Sequence, residues 1–290
     1  MIETTAWIKK IALGTVQFGL DYGISNKSGQ VIPQIVSDIL NFAHESGIEM
    51  LDTAASYGSG EEVLGDVLST KDYRFEIVSK FPADTTDLTG VLCQSLKKLR
   101  VENLKAYLAH DFDSFKNPVF RRQLAEAKEK GQINQIGVSV YYPEQAEFFL
   151  DEKIDFDVIQ FPFNVFDQRF KQLFARLKEK GIEIHARSAF LQGLFFLPYE
   201  DLPANFASIK GLLTELKELC RSQDIPPATM LLNYAVMQPE IDKVVIGVTS
   251  IDELKQDLAA QLHYDRCLAF ASELNEFSIS NEDIILPFNW

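Results

Sequence analysis

The sequence predicts a single (β/α)8 barrel, the α/β fold in which eight parallel strands close into a cylinder surrounded by helices. Two observations lead to this prediction. Short apolar segments and amphipathic helical segments alternate eight times along the 290 residues, and the strand segments are apolar on both faces, as buried parallel strands are. We expect one domain over residues 1–290, with an extra C-terminal helix, because such barrels reach this length undivided.

Each predicted strand is a short apolar run that stops at a turn residue or at a polar side chain. The second strand, for example, begins just after Gly47, which ends the preceding helix, and it stops at Asp52. The eight strands are predicted at Ile11–Thr15, Ile48–Asp52, Phe75–Lys80, Leu104–His110, Ile133–Ser139, Phe156–Gln160, Ile182–Arg187 and Val244–Gly247.

The predicted helices follow the strands and carry apolar residues three or four positions apart, as at Leu88, Leu92 and Leu96. Several of them stop at a glycine, as helix ends commonly do. The helices are predicted at Pro33–Glu45, Glu61–Leu68, Leu88–Leu99, Val119–Lys130, from Pro143 onward, Gln168–Lys180, Phe206–Ser222 and Ile251–Ala260, with the extra helix at Cys267–Glu273.

A doubly wound open sheet is the alternative fold. That fold is expected to carry a G-x-G-x-x-G fingerprint after its first strand, and Gly14-Thr-Val-Gln-Phe-Gly19 lacks the required spacing. The barrel is therefore favoured. One connection, Ser188–Asn205, is long and rich in aromatic residues. We predict that it is either a lid over a binding site or an apolar segment packed on the barrel rim.

Charge and composition exclude several classes of function. The chain has 28 Lys and Arg residues against 42 Asp and Glu residues, a net charge of −14, so neither a nucleic acid nor an anionic membrane is expected as a partner. Three widely spaced cysteines do not suit a disulfide framework, and the four histidines lack metal-binding spacing. No signal peptide or membrane span is recognised. We expect a cytoplasmic monomer or small homo-oligomer that holds no metal.

Polar side chains collect where the predicted strands end. Asp52 ends the second strand, Lys80 the third and His110 the fourth, and Tyr57 lies in the loop after the second strand. The carboxyl ends of barrel strands and the loops that follow them form active sites, so we expect these four side chains to meet. Each alone has a structural explanation, such as an ion pair, rim packing or a core histidine. Together they predict acid–base chemistry.

The four side chains have complementary chemistry. A partly buried ammonium at Lys80 needs a carboxylate partner, which Asp52 on the adjacent strand can supply. A cation beside the phenol of Tyr57 is expected to lower the pKa of that phenol towards neutrality, which makes it a usable general acid. The imidazole of His110 can then orient an oxygen near the Tyr57 hydroxyl.

These residues and their neighbours resemble the motifs of the aldo-keto reductases over essentially the whole chain. The matching motifs are Leu51-Asp-Thr-Ala-Ala-Ser-Tyr-Gly58, Ser79-Lys80-Phe81, Leu108-Ala-His110, Gly137-Val-Ser139, Gln160-Phe-Pro-Phe-Asn164 and the C-terminal Pro287-Phe-Asn-Trp290. The resemblance implies that the barrel binds an extended nicotinamide dinucleotide and transfers hydride to a carbonyl carbon. It also implies that Tyr57 donates the proton and that Lys80 and Asp52 tune it. His110 then positions the substrate.

The resemblance implies cofactor contacts around the mouth of the barrel. Gly14 and Thr15 match a contact after the first strand, and Ser139 and Gln160 match the residues that hold the carboxamide. The segment that covers the pyrophosphate is matched by Ser188, Leu191 and Gly193. The adenosine-phosphate site is matched by Gly247, Thr249, Ser250, Glu253, Gln256 and Asp257.

Two departures from the family pattern bear on ligands. Arg187 stands where an aromatic residue usually stacks on the nicotinamide. Its guanidinium could stack there, pair with an anionic substrate or the pyrophosphate, or pair only with a neighbouring carboxylate. Glu253 stands where many members place an arginine for the 2′-phosphate of NADPH. NADPH is the family's usual cofactor, but the acidic Glu253 and Asp257 make NADH a candidate as well.

Three functions remain open. We favour a reductase that converts a small-molecule carbonyl, an aldehyde or ketone, to an alcohol, because all four catalytic positions match the family. The alternatives are a sugar or alcohol dehydrogenase that acts in the oxidative direction and a non-catalytic, dinucleotide-sensing barrel. Polar residues near the predicted mouth, at Asn164, Arg187 and Gln192, point to a hydroxylated or anionic substrate such as a sugar derivative.

Overall fold

The computed structural model describes residues 4–290 and contains a closed barrel of eight parallel strands. The strands, numbered β1 to β8, are Ile11–Gly14, Met50–Asp52, Glu76–Phe81, Leu104–Ala109, Ile133–Ser139, Val158–Pro162, Glu183–Arg187 and Lys243–Gly247. Each strand pairs with the next, and β8 pairs with β1, so the sheet has no open edge. The predicted barrel is confirmed and the open sheet is excluded. Residues 1–3 of the predicted domain lie outside the described residues.

Helices cover the outside of the barrel. The α-helices of the described residues, numbered α1 to α15, are Thr4–Lys9, Val16–Gly19, Pro33–Glu45, Gly60–Leu68, Leu88–Leu99, Phe112–Lys116, Pro118–Glu129, Pro143–Asp151, Phe174–Glu179, Lys210–Ser222, Pro227–Val236, Ile251–Ala259, Tyr264–Leu268, Ala271–Asn275 and Glu282–Ile285. Short 3-10 turns lie at Arg169–Leu173, Leu191–Phe196, Tyr199–Asp201, Ala204–Ile209, Ala260–His263 and Pro287–Asn289. None of the helices within residues 4–290 is both long and apolar enough to cross a lipid bilayer.

The apolar core has two layers, because successive side chains of a strand point to opposite faces of the sheet. The larger layer lies between the sheet and the helices. The smaller layer fills the barrel interior with Ala12, Met50, Val78, Ala106, Leu108 and Val158. Two positions further along β2, β3 and β6, the inward face carries Asp52, Lys80 and Gln160. Because every second side chain of a strand points inward, these polar groups lie directly above the apolar layer that fills the barrel interior.

The strand boundaries agree with the prediction within two residues, whereas two helices begin differently. The predicted helix Phe206–Ser222 starts as a 3-10 turn and becomes α10 only at its fifth residue. In that turn the amide of Phe206 donates to the carbonyl of Pro203 at 3.0 Å, and proline fixes the backbone there. The predicted helix Gln168–Lys180 likewise opens with a 3-10 turn before α9.

In the C-terminal half, the sequence did not predict α11 or the short α15, and it predicted one helix wrongly. Helix α11 is buried on every face from Thr229 to Val236, so it lacks the one-sided apolar pattern by which a surface helix is recognised. The predicted extra helix Cys267–Glu273 is instead the pair α13 and α14. Between them, the amide of Phe270 donates to the carbonyl of Cys267 at 3.0 Å, a three-residue turn that interrupts the helix.

Candidate active site

Three functional side chains lie at the ends of three consecutive strands. Asp52 is the last residue of β2, Lys80 is the penultimate residue of β3, and His110 directly follows β4. Tyr57 lies in the loop between β2 and α4. Asp52, Tyr57 and His110 line a cavity of about 540 Å³ at this end of the barrel, and Lys80 is fully buried behind it. The four side chains predicted to meet are therefore brought together.

Lys80 and Asp52 form a buried ion pair. The Nζ atom of Lys80 lies 2.6 Å from Oδ1 of Asp52 and also donates to the carbonyl of Thr53 at 3.0 Å. The second carboxylate oxygen of Asp52 accepts a hydrogen bond from Nε2 of Gln160 at 2.8 Å. Burial lowers the pKa of Lys80, and the adjacent Asp52 carboxylate opposes that shift. Both charges are satisfied by protein groups, as a buried pair requires.

Tyr57 is half-buried between Lys80 and His110. The ammonium of Lys80 lies 5.6 Å from the Tyr57 ring centroid, and the His110 ring meets the Tyr57 ring edge-on at 5.8 Å. The prediction that the pKa of Tyr57 is lowered was wrong. Burial raises that pKa, the Asp52 carboxylate raises it further, and the charge of Arg187 opposes the shift. The phenol is therefore protonated at neutral pH, which is the form a proton donor needs.

His110 is a neutral imidazole. Burial is the main cause that lowers its pKa to about 3, and the positive charges of Lys80 and Arg187 add to the effect. Its Nδ1 atom lies 3.0 Å from the hydroxyl oxygen of Ser56. This contact leaves Nε2 for a ligand in the cavity. A neutral ring can hold an oxygen by a hydrogen bond without itself supplying a charge.

The cavity is bounded by the segments that follow β1, β2, β4, β5, β7 and β8. Most of the residues predicted to contact the cofactor line it. These are Gly14, Thr15, Gln160, Arg187, Ser188, Gly193, Gly247, Thr249, Glu253, Gln256 and Asp257. The cavity thus extends from the acid–base groups to the beginning of α12, and it falls within the volume range of ligand-binding clefts.

The other three predicted cofactor residues do not line the cavity. Ser139 is buried in β5, where it pairs in register with Gln160. Leu191 is fully buried in the apolar core. The hydroxyl of Ser250 accepts the amide of Glu253 at 3.2 Å and so caps α12. A direct contact between these three residues and a cofactor stays a prediction.

The end of the cavity beside α12 is acidic. The carboxylate of Glu253 accepts the amide and the hydroxyl of Thr249, at 2.6 and 2.9 Å. Asp257 lies one turn later and is buried. Burial, with a smaller contribution from Glu253, raises the pKa of Asp257 to about 7. Two carboxylates at this end disfavour a phosphate and can accept hydrogen bonds from a ribose hydroxyl.

Two glycines keep the cavity wall open. A Cβ atom on Gly247 would lie 2.7 Å from Oε1 of Gln17. That amide oxygen is buried and has no hydrogen-bond partner among residues 4–290. Gly193, at φ +90°, lies so close to the Ser25 side chain that any Cβ would collide with it. Bare backbone and an unpaired acceptor suit an extended ligand that carries hydrogen-bond donors, so these residues fit a dinucleotide.

The predicted long connection Ser188–Asn205 folds into short 3-10 turns. Ser188, Leu191 and Gln192 adopt left-handed backbone conformations, with φ of 64°, 45° and 52°. Each costs about 1–2 kcal/mol for a non-glycine residue. Leu191 and Phe195 are buried in the core and hold the turns in place. Of the two predicted alternatives, packing on the barrel therefore applies to Leu191 and Phe195. Ordering of the segment over a dinucleotide stays a prediction.

Arg187 lies at the end of β7 and lines the cavity. Its guanidinium packs 4.1 Å from the ring centroid of Tyr141. Its hydrogen bonds are long, at 3.4 Å to the carbonyl of Val140 and 3.5 Å to the hydroxyl of Ser188. No carboxylate within residues 4–290 forms an ion pair with it. Of the predicted alternatives, pairing only with a neighbouring carboxylate was therefore wrong.

Several residues of the site were not predicted from the sequence. Ser56 lies within the motif around Tyr57 but was given no role, and its contact with His110 depends on the fold of the loop. Tyr22 and Tyr141 both line the cavity. Tyr141 is the second residue after β5, and that position close to a strand end could have identified it. Nothing in the sequence around Tyr22 marks it as a cavity residue.

Comparison with known proteins agrees with the fold. Residues 10–265 match the family model described as Aldo/keto reductase family. The chain belongs to this family. Aldo-keto reductases are oxidoreductases that use nicotinamide cofactors, and the barrel described above is the fold of the family. The resemblance inferred from the strand-end motifs is thereby confirmed.

The relatives are distant and match nearly the full length. The uncharacterized oxidoreductase YqkF of Bacillus subtilis is 23% identical over 280 residues, which cover 87% of each protein. The NADH-specific methylglyoxal reductase of Escherichia coli is 21% identical over 300 residues, which cover 89% of this chain and 91% of that protein. Among solved structures, the holo form of aldo-keto reductase AKR11C1 from Bacillus halodurans has a TM-score of 0.74 at 19% identity and covers 94% of each chain.

Proposed function

We propose that this aldo-keto reductase reduces the carbonyl group of a small aldehyde or ketone to an alcohol, with Tyr57 as the proton donor and NADH or NADPH as the reductant. The supporting observation is the protonated phenol of Tyr57 in contact with Lys80 on one side and with the neutral ring of His110 on the other. A non-catalytic barrel would have no need to bury an ion pair beneath a cavity tyrosine, because such a pair seldom stabilises a fold.

The proton path follows from these side chains. We assign to His110 the tautomer with its proton on Nε2, in which Nδ1 accepts the hydroxyl of Ser56 at 3.0 Å and Nε2 donates to the substrate's carbonyl oxygen. The hydroxyl of Tyr57 donates to the same oxygen. A bound reduced nicotinamide supplies the hydride to the carbonyl carbon. The proton of Tyr57 then passes to the oxygen, which leaves an alcohol and a phenolate that the ammonium of Lys80 stabilises.

The supporting residues hold the charged groups in place. Asp52 fixes the ammonium of Lys80, and the amide of Gln160 fixes the second oxygen of Asp52. The charge of Lys80 is thus set before the phenolate forms, and no solvent has to reorganise around it. The same residues would catalyse the reverse oxidation of an alcohol, with the Tyr57 phenolate as the base. The direction in the cell depends on the cofactor ratio.

The proposed cofactor site follows the cavity wall from the strand ends to α12. Ser139 and Gln160 would hold the carboxamide, and Gly14 and Thr15 would contact the cofactor beside them. Ser188, Leu191 and Gly193 would cover the pyrophosphate. The adenosine end would be held by Gly247, Thr249, Ser250, Glu253, Gln256 and Asp257.

We infer relaxed cofactor specificity, in which NADH is used appreciably beside the family's usual NADPH. Glu253 and Asp257 place negative charge where a 2′-phosphate would bind, and the carboxylate of Glu253 is held there by Thr249. Selective binding of that phosphate normally calls for arginine or lysine. The name of the E. coli relative, an NADH-specific methylglyoxal reductase, supports the same choice.

The test is an assay of purified protein against a panel of aldehydes and ketones with each reduced dinucleotide. Tyr57→Phe removes the proton donor and keeps the ring, so turnover should fall by about 100-fold or more while dinucleotide binding persists. Tyr22→Phe is the matched control, since it removes another cavity hydroxyl that is not in contact with Lys80. Near-wild-type turnover in Tyr57→Phe would exclude the proposed role.

A further inference from the structure

Arg187 is an unbalanced charge at the catalytic end of the cavity. The charge of Lys80 is matched by Asp52 at 2.6 Å. His110 is neutral and Tyr57 is protonated. Arg187 has no such counter-ion within residues 4–290. A partly desolvated cation without a partner is unfavourable, and a bound anion would relieve that cost.

The arrangement around Arg187 leaves its binding edge accessible. Tyr141 covers one face of the guanidinium at 4.1 Å. A guanidinium has five N–H donors in a planar fork, and only two of them make bonds here, both long. The remaining donors match the two oxygens of a carboxylate or phosphate. The side chain lines the cavity, so these donors are open to a ligand.

We propose that Arg187 binds an anionic group of the substrate, so that the substrate is a small aldehyde or ketone bearing a carboxylate or a phosphate. The inference rests on the proposed reductase function, because that function places the substrate's carbonyl at Tyr57 and His110. Arg187, Tyr57 and His110 line the same cavity. A single small molecule can therefore place its carbonyl at Tyr57 and an anionic group at the guanidinium.

Two arguments count against stacking of Arg187 on the nicotinamide ring. A guanidinium stacked on the nicotinamide would lie against a ring that becomes positively charged when it loses hydride, and like charges repel. One face of the guanidinium is already occupied by Tyr141. The protein as a whole carries a charge of −14, so a local cation such as Arg187 favours the binding of an anionic substrate.

Matched substrate pairs isolate the effect of charge. Succinate semialdehyde and its methyl ester present the same aldehyde with and without a carboxylate, and glyceraldehyde 3-phosphate and glyceraldehyde do the same for a phosphate. The measurement is kcat/KM for each compound at saturating reduced dinucleotide. We expect the wild-type protein to prefer the charged member of at least one pair by about 10-fold or more. The pair that shows the preference identifies the anion.

Variants then assign the preference to Arg187. Arg187→Gln should lower the charged-to-neutral ratio of kcat/KM by about 30-fold, which is about 2 kcal/mol at 1.4 kcal/mol per factor of ten, mainly through KM. Arg187→Lys keeps the charge without the fork and should lower the ratio less; it also serves if Arg187→Gln does not fold. Lys27→Gln is the matched control, because Lys27 is an exposed cation that lines the same cavity. For Lys27→Gln, the charged-to-neutral ratio of kcat/KM should stay within about twofold of the wild-type ratio.

The outcomes separate this inference from the reductase function. Wild-type ratios near one for both pairs, or equal losses on charged and neutral substrates in Arg187→Gln, overturn the anion site and leave the reductase intact. If the wild-type protein reduces none of the four carbonyls, the function fails, and calorimetric titration with succinate semialdehyde and its methyl ester decides on the anion site. Binding of the charged compound that depends on Arg187 supports it, and equal binding of both compounds overturns it.

Discussion

The ammonium nitrogen of Lys80 lies 2.6 Å from a carboxylate oxygen of Asp52, and both side chains are almost completely withdrawn from solvent. Removal of one member of such a pair leaves the other as an unpaired buried charge. The pair therefore has a measurable effect on stability as well as on the chemistry of Tyr57.

Lys80→Met should lower the free energy of unfolding by about 3–5 kcal/mol, because Asp52 loses its counter-ion. Denaturant titration measures the change. Lys105→Met is the control, since Lys105 pairs with Glu76 at 3.4 Å in a partly exposed position, and its loss should cost less than about 1 kcal/mol. The double variant Lys80→Met with Asp52→Asn should recover part of the lost stability. Equal stability of Lys80→Met and wild type would contradict a buried ion pair.

The rate of carbonyl reduction should show no titration of Tyr57 or His110 near neutrality. The pKa of His110 is lowered to about 3, and burial raises the pKa of Tyr57 above its ordinary value. Both groups therefore keep one protonation state from about pH 5 to pH 9. The measurement is kcat against pH at saturating substrate and cofactor. A loss of rate centred near pH 7 would instead indicate a phenol with a lowered pKa, as the sequence alone suggested.

Asp257→Asn should stabilise the protein at high pH. The pKa of Asp257 is raised from 3.8 to about 7 in the folded protein, so the folded state binds its proton more tightly than the unfolded state. The resulting penalty is absent below about pH 4 and complete above about pH 7, where it is on the order of a few kcal/mol. Thermal unfolding at pH 5 and pH 8 should show the larger gain at pH 8. The exposed Asp252→Asn on the same helix should show no such difference.

The two reduced dinucleotides should bind with similar affinity. A preference for NADPH above about 100-fold, or about 2.7 kcal/mol, would mean that a cation binds the 2′-phosphate and that Glu253 is not at that position. Glu253→Gln removes the negative charge held by Thr249 and should tighten NADPH relative to NADH by about fivefold. The measurement is Kd for each dinucleotide by fluorescence. Asp252→Asn is again a suitable control, because its side chain is solvent-exposed.

Hydrogen exchange should report whether the segment 188–205 orders over a bound dinucleotide. Its residues Phe190, Gln192 and Gly193 line the cavity, so a ligand there would restrict the segment. We expect slower exchange of these amides when a dinucleotide is added, with helix α10 unchanged as an internal reference. Identical exchange with and without the dinucleotide would make the segment a fixed part of the rim.

The sequence predicts the strand ends well, because the position of a polar residue after a buried apolar run does not depend on distant contacts. Asp52, Lys80 and His110 were located in this way, and the parallel register of a barrel then brings them to one rim. Helix α11 could not be found by the same reasoning. All of its faces are buried, so its sequence does not alternate between apolar and polar residues with the period of a helix.

Other features depend on tertiary contacts that no local pattern records. The sign of the pKa shift of Tyr57 was predicted wrongly, because it depends on burial and on the nearby Asp52 carboxylate, which both raise the pKa. Arg187 ends β7, whereas Tyr141 follows β5. Nothing in the sequence around either residue indicates that the two side chains are in contact. Such details need the folded chain, since they follow from distances across the barrel.

The hydrogen bond from Gln160 to Asp52 has a mechanical consequence. It joins β6 to β2, which stand four places apart in the closed ring of eight strands and so face each other across its diameter. The bond links opposite sides of the rim directly, in addition to the hydrogen bonds between adjacent strands and the side chains packed inside the barrel. Any widening of the mouth would stretch this bond, so the width of the opening and the alignment of the Lys80 ammonium are set together.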